Sequence, residues 1–268
     1  MIPKENTSID GFIPAEEAYN LYARYYDIMT TRHVDDLPIY QQISATNLPP
    51  YLEVGCGTGR VLSHLLSRKP GTVHGHYLSG VDVSDEMLEI CRAKTRAFID
   101  DGSLEVIKHD FSRDPLPSQY NAAFVTFFTL NYIPEHLQLP FLENIGKSLY
   151  HDGVISLDCF YPYLKWHPEA ANQWRSIDTG DEYVRLQERS KLLTPAVEQR
   201  EWVFTQADGI VNTITTNRVY FSPERGKSLL KTAGFTNVQR VFNYQLPGTD
   251  DFTEGTQGYN FVLIARRP

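Results

Sequence analysis

Between about Tyr51 and Phe160, short apolar runs alternate with segments whose apolar residues recur every three or four positions. That is the pattern of β-α-β units and of a parallel sheet. Tyr51-Leu-Glu-Val54 is the first run, and Val61, Leu62, Leu65 and Leu66 mark the helix behind it. Leu78 to Val83 reads as the second strand. Ser84 stands where a helix cap is needed, with Asp85 and Glu86 in a first turn whose free N–H groups favour negative charge. Met87, Cys91 and Phe98 are expected on the buried side of that helix. Leu104 to Ile107 gives a third strand, and Ala122 to Phe128 a fourth, apolar enough for burial on both faces. Leu142, Ile145 and Leu149 predict another helix, stopping near Asp152-Gly153, with Val154 to Leu157 as the fifth strand.

After Phe160 the pattern changes. Tyr161 to about Asp181 is irregular, with Trp166, Trp174 and two prolines, and the stretch to Tyr220 reads as strands. Trp202 to Phe204 and Ile210 to Tyr220 flank Asp208-Gly209, a hairpin-turn signal. Ser222-Pro-Glu224 opens a helix that Gly234 closes, and Val238 to Tyr244 and Tyr259 to Ala265 read as the last two strands, on either side of a turn-rich Leu246 to Gly258. The division expected is an N-terminal helical cap over 1–50, a core over 51–160, an inserted antiparallel lid over 161–221, and completion of the core over 222–268.

Composition narrows the function classes. A chain of 268 residues suits one elaborated domain. A net charge of −8 without any Lys/Arg-rich block disfavours nucleic acid, where affinity comes from neutralising phosphates. No apolar run has signal-peptide or membrane-span length, so a soluble, cytoplasmic protein with no membrane partner is expected. Cys56, Cys91 and Cys159 are odd in number and far apart, which fits neither a disulfide framework nor a closed zinc site.

The chemistry concentrates in Glu53-Val-Gly-Cys-Gly-Thr-Gly59. Glycines between a strand and a helix let a ligand approach the backbone and its free N–H groups. A dinucleotide loop would need glycine at position 60, where Arg60 stands. Asp82, at the end of strand two, is placed to accept hydrogen bonds from a ribose diol. Glu53 to Gly59 resembles the first motif of class I S-adenosylmethionine-dependent methyltransferases, and Gly80-Val-Asp-Val-Ser-Asp-Glu-Met87 their second. The resemblance implies a Rossmann-like α/β fold, a seven-stranded mostly parallel sheet with helices on both faces. It also implies S-adenosyl-L-methionine as cofactor and S-adenosyl-L-homocysteine as product. By it, Glu53, Gly55, Cys56, Gly57 and Gly59 bind the cofactor, the glycine loop facing its methionine part, with Asp82 on the ribose, Val83 beside it, and Met87 on the adenine. Asp110 and Phe111 bind the adenine edge and face, and Tyr26 and Phe127 complete the cofactor side.

Methyl transfer is an in-line displacement that needs alignment and exclusion of water more than a covalent nucleophile. Phe127, Asn131 and Tyr132 follow strand four, at the sheet end where open α/β proteins bind ligands, and are the acceptor-side candidates. The segment is not the N/D-P-P-Y/F motif of amino methyltransferases acting on nucleic acids or glutamine. Tyr22-Ala-Arg-Tyr-Tyr-Asp27 is similar to the Tyr-Asp segment of small-molecule methyltransferases, including those that dimethylate amino sugars. Tyr26 is the best match there, ahead of Tyr22 and Tyr25, with Arg32 and His33 weaker. Where the amino-sugar enzymes tend to carry His, this chain has Tyr132, which puts a shared substrate in doubt. His109 is a candidate base, giving Tyr132, Tyr26, Asn131 and His109 as the catalytic set. Asp158 lacks the following Asn of metal-dependent relatives, so no metal is implied. The expected reaction is methylation of a small molecule, at an amine nitrogen in preference to an oxygen. A peptide or protein acceptor and a non-methylating cofactor binder are the alternatives, and the 182–220 strands offer an edge for a homodimer.

Overall fold

The computed structural model describes residues 15–30, 32–69, 76–160, 168–220, 222–242, 244 and 260–268. Trp166, Tyr259 and the Leu246 to Gly258 turn region fall outside them. The first elements are α1 (Ala15–Thr30), α2 (Leu37–Ala45), β1 (Tyr51–Val54), α3 (Arg60–Leu66), β2 (Leu78–Asp82), α4 (Asp85–Lys94), α5 (Arg96–Asp100), β3 (Leu104–Lys108), β4 (Tyr120–Val125), α6 (Glu135–Lys147) and β5 (Leu149–Phe160). Next come β6 (Arg175–Ile177), β7 (Val184–Thr194), β8 (Val197–Gln206) and β9 (Val211–Val219), then α7 (Pro223–Thr232), β10 (Thr236–Phe242) and β11 (Asn260–Arg266).

Seven strands form one sheet in the order β10-β11-β5-β4-β1-β2-β3. The pairs β1–β2, β2–β3, β1–β4 and β4–β5 are parallel, and β11 runs antiparallel to both β5 and β10. The expected Rossmann-like, mostly parallel α/β fold is therefore present. Each sheet face carries its own core. On one, Leu142 and Ile145 of α6 and Leu230 of α7 pack with Leu52, Ala123 and Leu157. On the other, Tyr40 and Ile43 of α2, Leu62 and Leu65 of α3 and Leu88 and Cys91 of α4 pack with Leu78 and Phe124. Chain order reverses between β1 and β4, so their carboxyl ends splay their following loops apart and open a crevice.

Local chemistry sets the boundaries. Ser84 caps α4 by accepting from the Met87 amide at 3.2 Å, and Ser222 caps α7 by accepting from the Arg225 amide at 3.1 Å. Three expectations shift. Phe98 lies not on α4 but on α5, because the helix breaks at Thr95, whose hydroxyl turns back onto the Cys91 carbonyl at 2.7 Å. Leu149 opens β5 instead of ending α6, because Ser148 is drawn away, its hydroxyl bonding the Leu116 amide at 2.9 Å. Strand four stops at Val125, and Phe127 and Phe128 have φ of 45° and 66°, outside any strand.

The second sheet, β6-β7-β8-β9, is antiparallel throughout. The Asp208-Gly209 turn joins β8 to β9, with Gln206 donating to the Ile210 carbonyl at 2.9 Å. One face of this sheet lies on α1. Tyr22 stacks on Trp202 with ring centroids 5.2 Å apart, and Tyr25 on Phe204 at 4.1 Å, while Gln206 and Asn212 both donate to the Tyr25 hydroxyl at 2.8 Å.

Candidate functional site

The crevice at the β1/β4 junction holds a cavity lined by Gly55 and Gly57, by Asp82 and Val83 from the end of β2, by Met87, by His109, Asp110 and Phe111 after β3, and by Tyr26, Phe127 and Tyr132. Its floor is fixed by backbone pairing. Gly55 and Cys56 donate to the Val81 carbonyl at 2.9 and 3.0 Å, and Gly57 donates to Asp82 Oδ2 at 2.9 Å. Asp82 Oδ1 accepts from the Ser84 amide at 3.0 Å. Gly55 has φ of +75°, and a Cβ there would stand 2.1 Å from Thr129 Oγ1. At Gly57 it would meet the Tyr26 ring at 3.5 Å, so Tyr26 lies directly over the loop.

Three hydrogen bonds tie helix α1 down around this site, one to the loop, one to the α4 cap and one to the end of β3. Thr58 donates to Asp27 Oδ1 at 2.6 Å, Ser84 to Asn20 Oδ1 at 2.6 Å, and Lys108 to Glu16 Oε1 at 2.8 Å. On the other side of the loop Arg60 grips Asp36 through two bonds of 2.7 and 2.6 Å and sits 5.0 Å from the Phe127 ring centroid. Position 60, which set this loop apart from a dinucleotide motif, is thus a brace for the α3 entry.

A second cavity adjoins the first. Tyr22, His33, Phe128, Phe160 and Tyr244 line it from the core side, and Arg175, Glu198, Arg200 and Trp202 from the second sheet. Among the described residues, four line both cavities: Tyr19, Tyr26, Phe127 and Tyr132. Tyr19 meets Tyr132 edge-on with centroids 5.4 Å apart, and Tyr26 meets Phe127 at 6.4 Å. Burial pushes the Tyr19, Tyr22 and Tyr26 phenols well above their ordinary range, so these hydroxyls remain protonated near neutral pH.

Residues 52–153 match the methyltransferase-domain family, across the glycine loop, Asp82 and Asp110. Over those residues the chain carries a methyltransferase domain. It is 23% identical over 194 residues to a carboxy-S-adenosyl-L-methionine synthase of Campylobacter lari, covering 72% of this chain and 71% of that protein. In structure it resembles an S-adenosylmethionine-dependent methyltransferase from Clostridium acetobutylicum, at TM-score 0.72 and 18% identity, over 93% of this chain and 98% of the other. It also resembles the sugar N-methyltransferase KedS8 from Streptoalloteichus sp., at TM-score 0.67 and 16% identity, over 100% and 99%.

The cavity beside the glycine loop suits the cofactor of such a domain. A carboxylate offers about four lone-pair sites; the Gly57 and Ser84 amides use one on each Asp82 oxygen and the Val83 amide also points at the group, which leaves acceptor capacity for a hydroxyl donor. Burial pushes the Asp82 pKa up, and the Ser84 and Gly57 amides pull it back. Met87 and Phe111 provide fully buried apolar walls. Asp110 lines the cavity, yet its Oδ1 accepts from the Ser112 amide and hydroxyl at 2.9 and 2.6 Å, and its Oδ2 from Arg113 at 3.1 Å.

Other expected residues sit elsewhere. Glu53 is buried behind the loop, accepting from Thr126 at 2.9 Å through one oxygen while the other has no partner, and burial pushes its carboxyl well up. Cys56 and Gly59 support the loop without lining either cavity. The structure does not bring Asn131 to either cavity. Its amide donates to the Val219 and Phe160 carbonyls at 2.7 and 3.2 Å and accepts from the Phe160 amide at 3.1 Å, which makes it a strut between β5 and β9. His109 lines the glycine-loop cavity and not the second one, with Nε2 2.8 Å from the Asp114 carbonyl, an arrangement that puts the ring proton on Nε2. Arg32 is exposed and faces Asp178, whereas His33 lines the second cavity.

The sequence reading missed Tyr19, although it precedes Tyr22 and Tyr26 by three and seven positions and so shares their helix face. It also missed Thr129, Phe128, Phe160 and the whole charged wall of the second sheet. Three free, buried cysteines and no helix long and apolar enough to cross a membrane are found among the described residues.

Proposed function

We propose that the enzyme methylates an amine nitrogen of a small molecule, with the cofactor in the glycine-loop cavity and the acceptor in the neighbouring one. The observation that carries this is the wall of Tyr19, Tyr26, Phe127 and Tyr132 common to both cavities. S-adenosylmethionine, when bound, supplies a methyl group on a positively charged sulfur. The chain's own part is to align the acceptor and exclude water, which a four-ring junction does without committing charge. None of the four side chains is a carboxylate or an imidazole. A hydroxyl acceptor needs its proton taken at the reacting atom, whereas an amine can lose its proton before entry and arrive with a free lone pair. Aromatic faces also attract the cationic product of nitrogen methylation.

In this reading Tyr132 orients the acceptor, Tyr26 closes the loop over the cofactor, and His109 contributes to the cofactor side. Residues 161–221 act as a lid over the acceptor cavity, residues 1–50 as a cap, and the enzyme works in the cytoplasm on neither nucleic acid nor membrane. The net charge of −8 supports the exclusion of nucleic acid. The KedS8 name supports nitrogen as the methylated atom.

The test incubates the protein with methyl-labelled S-adenosylmethionine and matched panels of amines, alcohols and acids, and measures S-adenosylhomocysteine release with product mass. Label is expected on nitrogen, one methyl per S-adenosylhomocysteine released. Tyr132→Phe should lower kcat by about tenfold or more while leaving S-adenosylhomocysteine affinity unchanged. Transfer to oxygen in preference to nitrogen, or a cofactor recovered carboxylated instead of demethylated, would overturn the reading.

A further inference from the structure

Most polar side chains of the acceptor cavity are committed to one another. On the second sheet the guanidiniums of Arg200 and Arg218 are matched by carboxylates, Glu188 Oε2 at 2.5 Å and Glu198 Oε2 at 2.5 Å. On the core side Arg60 grips Asp36 through two bonds, the Thr30 hydroxyl turns back onto the Tyr26 carbonyl at 2.8 Å, and His33 and Asp35 are exposed at the rim. Tyr244 lines the same cavity and is held differently.

The Tyr244 hydroxyl lies 3.1 Å from both oxygens of Asp158, and the Tyr40 hydroxyl donates to Oδ2 of the same carboxylate at 3.2 Å. Asp158 and Tyr40 are fully buried and line neither cavity, so Tyr244 stands between the carboxylate and the acceptor space. Burial and the Asp158 charge push both phenols far above their ordinary range, so each keeps its hydrogen. A phenol has only one. With that hydrogen directed at Asp158, the Tyr244 oxygen has lone pairs but no hydrogen to present to a ligand. A carboxylate is the partner that fixes this polarity: an amide or hydroxyl in its place could turn and donate to Tyr244, whereas an ionised carboxylate only accepts. Burial, then Asp36, push the Asp158 carboxyl well above its ordinary value, against the pull of Tyr244, Tyr40 and Arg60. Positive charge arriving in the cavity works with that pull and favours the ionised form.

We infer that Tyr244, oriented by Asp158, receives the N–H that the acceptor nitrogen retains while its lone pair faces the methyl donor. This rests on the reading of that cavity as the acceptor site. It narrows the acceptor class from amines at large to primary and secondary amines, because a neutral tertiary amine has no N–H to give. As the nitrogen takes the methyl group it becomes positive and its hydrogen a stronger donor, so the bond to Tyr244 tightens along the reaction instead of only holding the ground state. Tyr244 is then a specificity-determining residue and Asp158, which does not touch the acceptor, a positioning residue.

The test uses the full chain saturated with S-adenosylhomocysteine and two cations that differ in a single N–H, trimethylammonium and tetramethylammonium, added as chloride salts near neutral pH at constant ionic strength. Both meet an aromatic wall by cation–π attraction, and trimethylammonium alone can donate, as the product of a secondary amine would. Trp202 lines the cavity, so tryptophan fluorescence follows each titration. The ratio of the two half-saturations is the readout, because changes in the ring wall common to both cations cancel in it. Tyr244→Phe, which keeps the ring, is expected to shift that ratio about tenfold against trimethylammonium while leaving tetramethylammonium within about threefold. Asp158→Asn is expected to shift it by a similar factor, since its amide NH2 donates to Tyr244 and frees the phenol hydrogen to point at the cation. A part in packing alone would not distinguish the two cations. S-adenosylhomocysteine affinity within about twofold of wild type reports that each variant is folded, and should Tyr244→Phe fail that check, Asp158→Asn against wild type carries the test. A ratio that survives either substitution, or trimethylammonium that does not saturate the wild type below about 100 mM, overturns the inference. Label on oxygen in the amine-panel assay would refute the nitrogen reading and leave this ratio as it is, so the two failures are separately visible.

Discussion

Asp82→Asn is the sharpest probe of the cofactor cavity, because the side chain keeps its size and loses only charge and one acceptor. In the native protein each carboxylate oxygen already takes one backbone N–H, from Gly57 at 2.9 Å and Ser84 at 3.0 Å. An amide has one oxygen to offer. Its NH2 must face one of those two donors, so either the glycine loop or the α4 entry is left with an unsatisfied N–H, at a cost of about 1–3 kcal/mol. The same NH2 cannot accept a hydroxyl, and a hydrogen bond to a charged group contributes roughly 1.5–3 kcal/mol. Part of the backbone cost falls on the free protein, so the loss in binding is set at about 3 kcal/mol, or somewhat more than a hundredfold in Kd. Isothermal titration with S-adenosylhomocysteine reads this directly. Asp110→Asn is the control, since Ser112 and Arg113 already occupy both Asp110 oxygens, and its Kd should rise by no more than about tenfold. The reasoning is refuted if Asp82→Asn binds within about threefold of wild type, or if Asp110→Asn is the more damaging of the two.

Two further outcomes follow from the geometry. Gly55→Ala combines a left-handed backbone with a Cβ 2.1 Å from Thr129 Oγ1, so Tm should fall by about 4 °C or more and cofactor affinity should weaken; an unchanged Tm by differential scanning calorimetry would contradict the placement. Glu198 titrates at about 2 in the folded chain against an ordinary 4.5, so the stability it contributes is present above pH 4.5 and is lost as pH falls toward 2, up to about 3 kcal/mol. Glu198→Gln should therefore be less stable than wild type at pH 7, with the gap in urea unfolding narrowing below pH 4.5; a constant gap would show that Arg218 does not hold this carboxylate down.

The fold and the cavity beside the glycine loop were legible because each rests on local signals. Apolar runs, the Ser84 and Ser222 caps and the Asp208-Gly209 turn act over a few residues, and all three features are present in the structure. Leu149 was misplaced because its spacing from Ile145 continues a helical stripe across the helix end, and only the tertiary bond from Ser148 to Leu116 reveals the stop. Asn131 looked like a site residue by position, being next to Tyr132, and only the distant carbonyl of Val219 explains its burial. The charged wall was invisible for a different reason. Alternation along β7 and β8 shows which residues share a face, but Glu188, Glu198 and Arg200 on a common face read as the side turned to solvent until another surface is known to lie over it.

On the proposed assignment of cofactor and acceptor to the two cavities, the four rings that face both bear on how the two ligands sense one another. A ring that shifts to admit one of them changes the surface the other meets, and such coupling is equal in both directions: whatever factor the acceptor adds to cofactor affinity, the cofactor adds to acceptor affinity. Spent cofactor and acceptor should then be held together or released together, which makes departure of the methylated product a point at which turnover is governed.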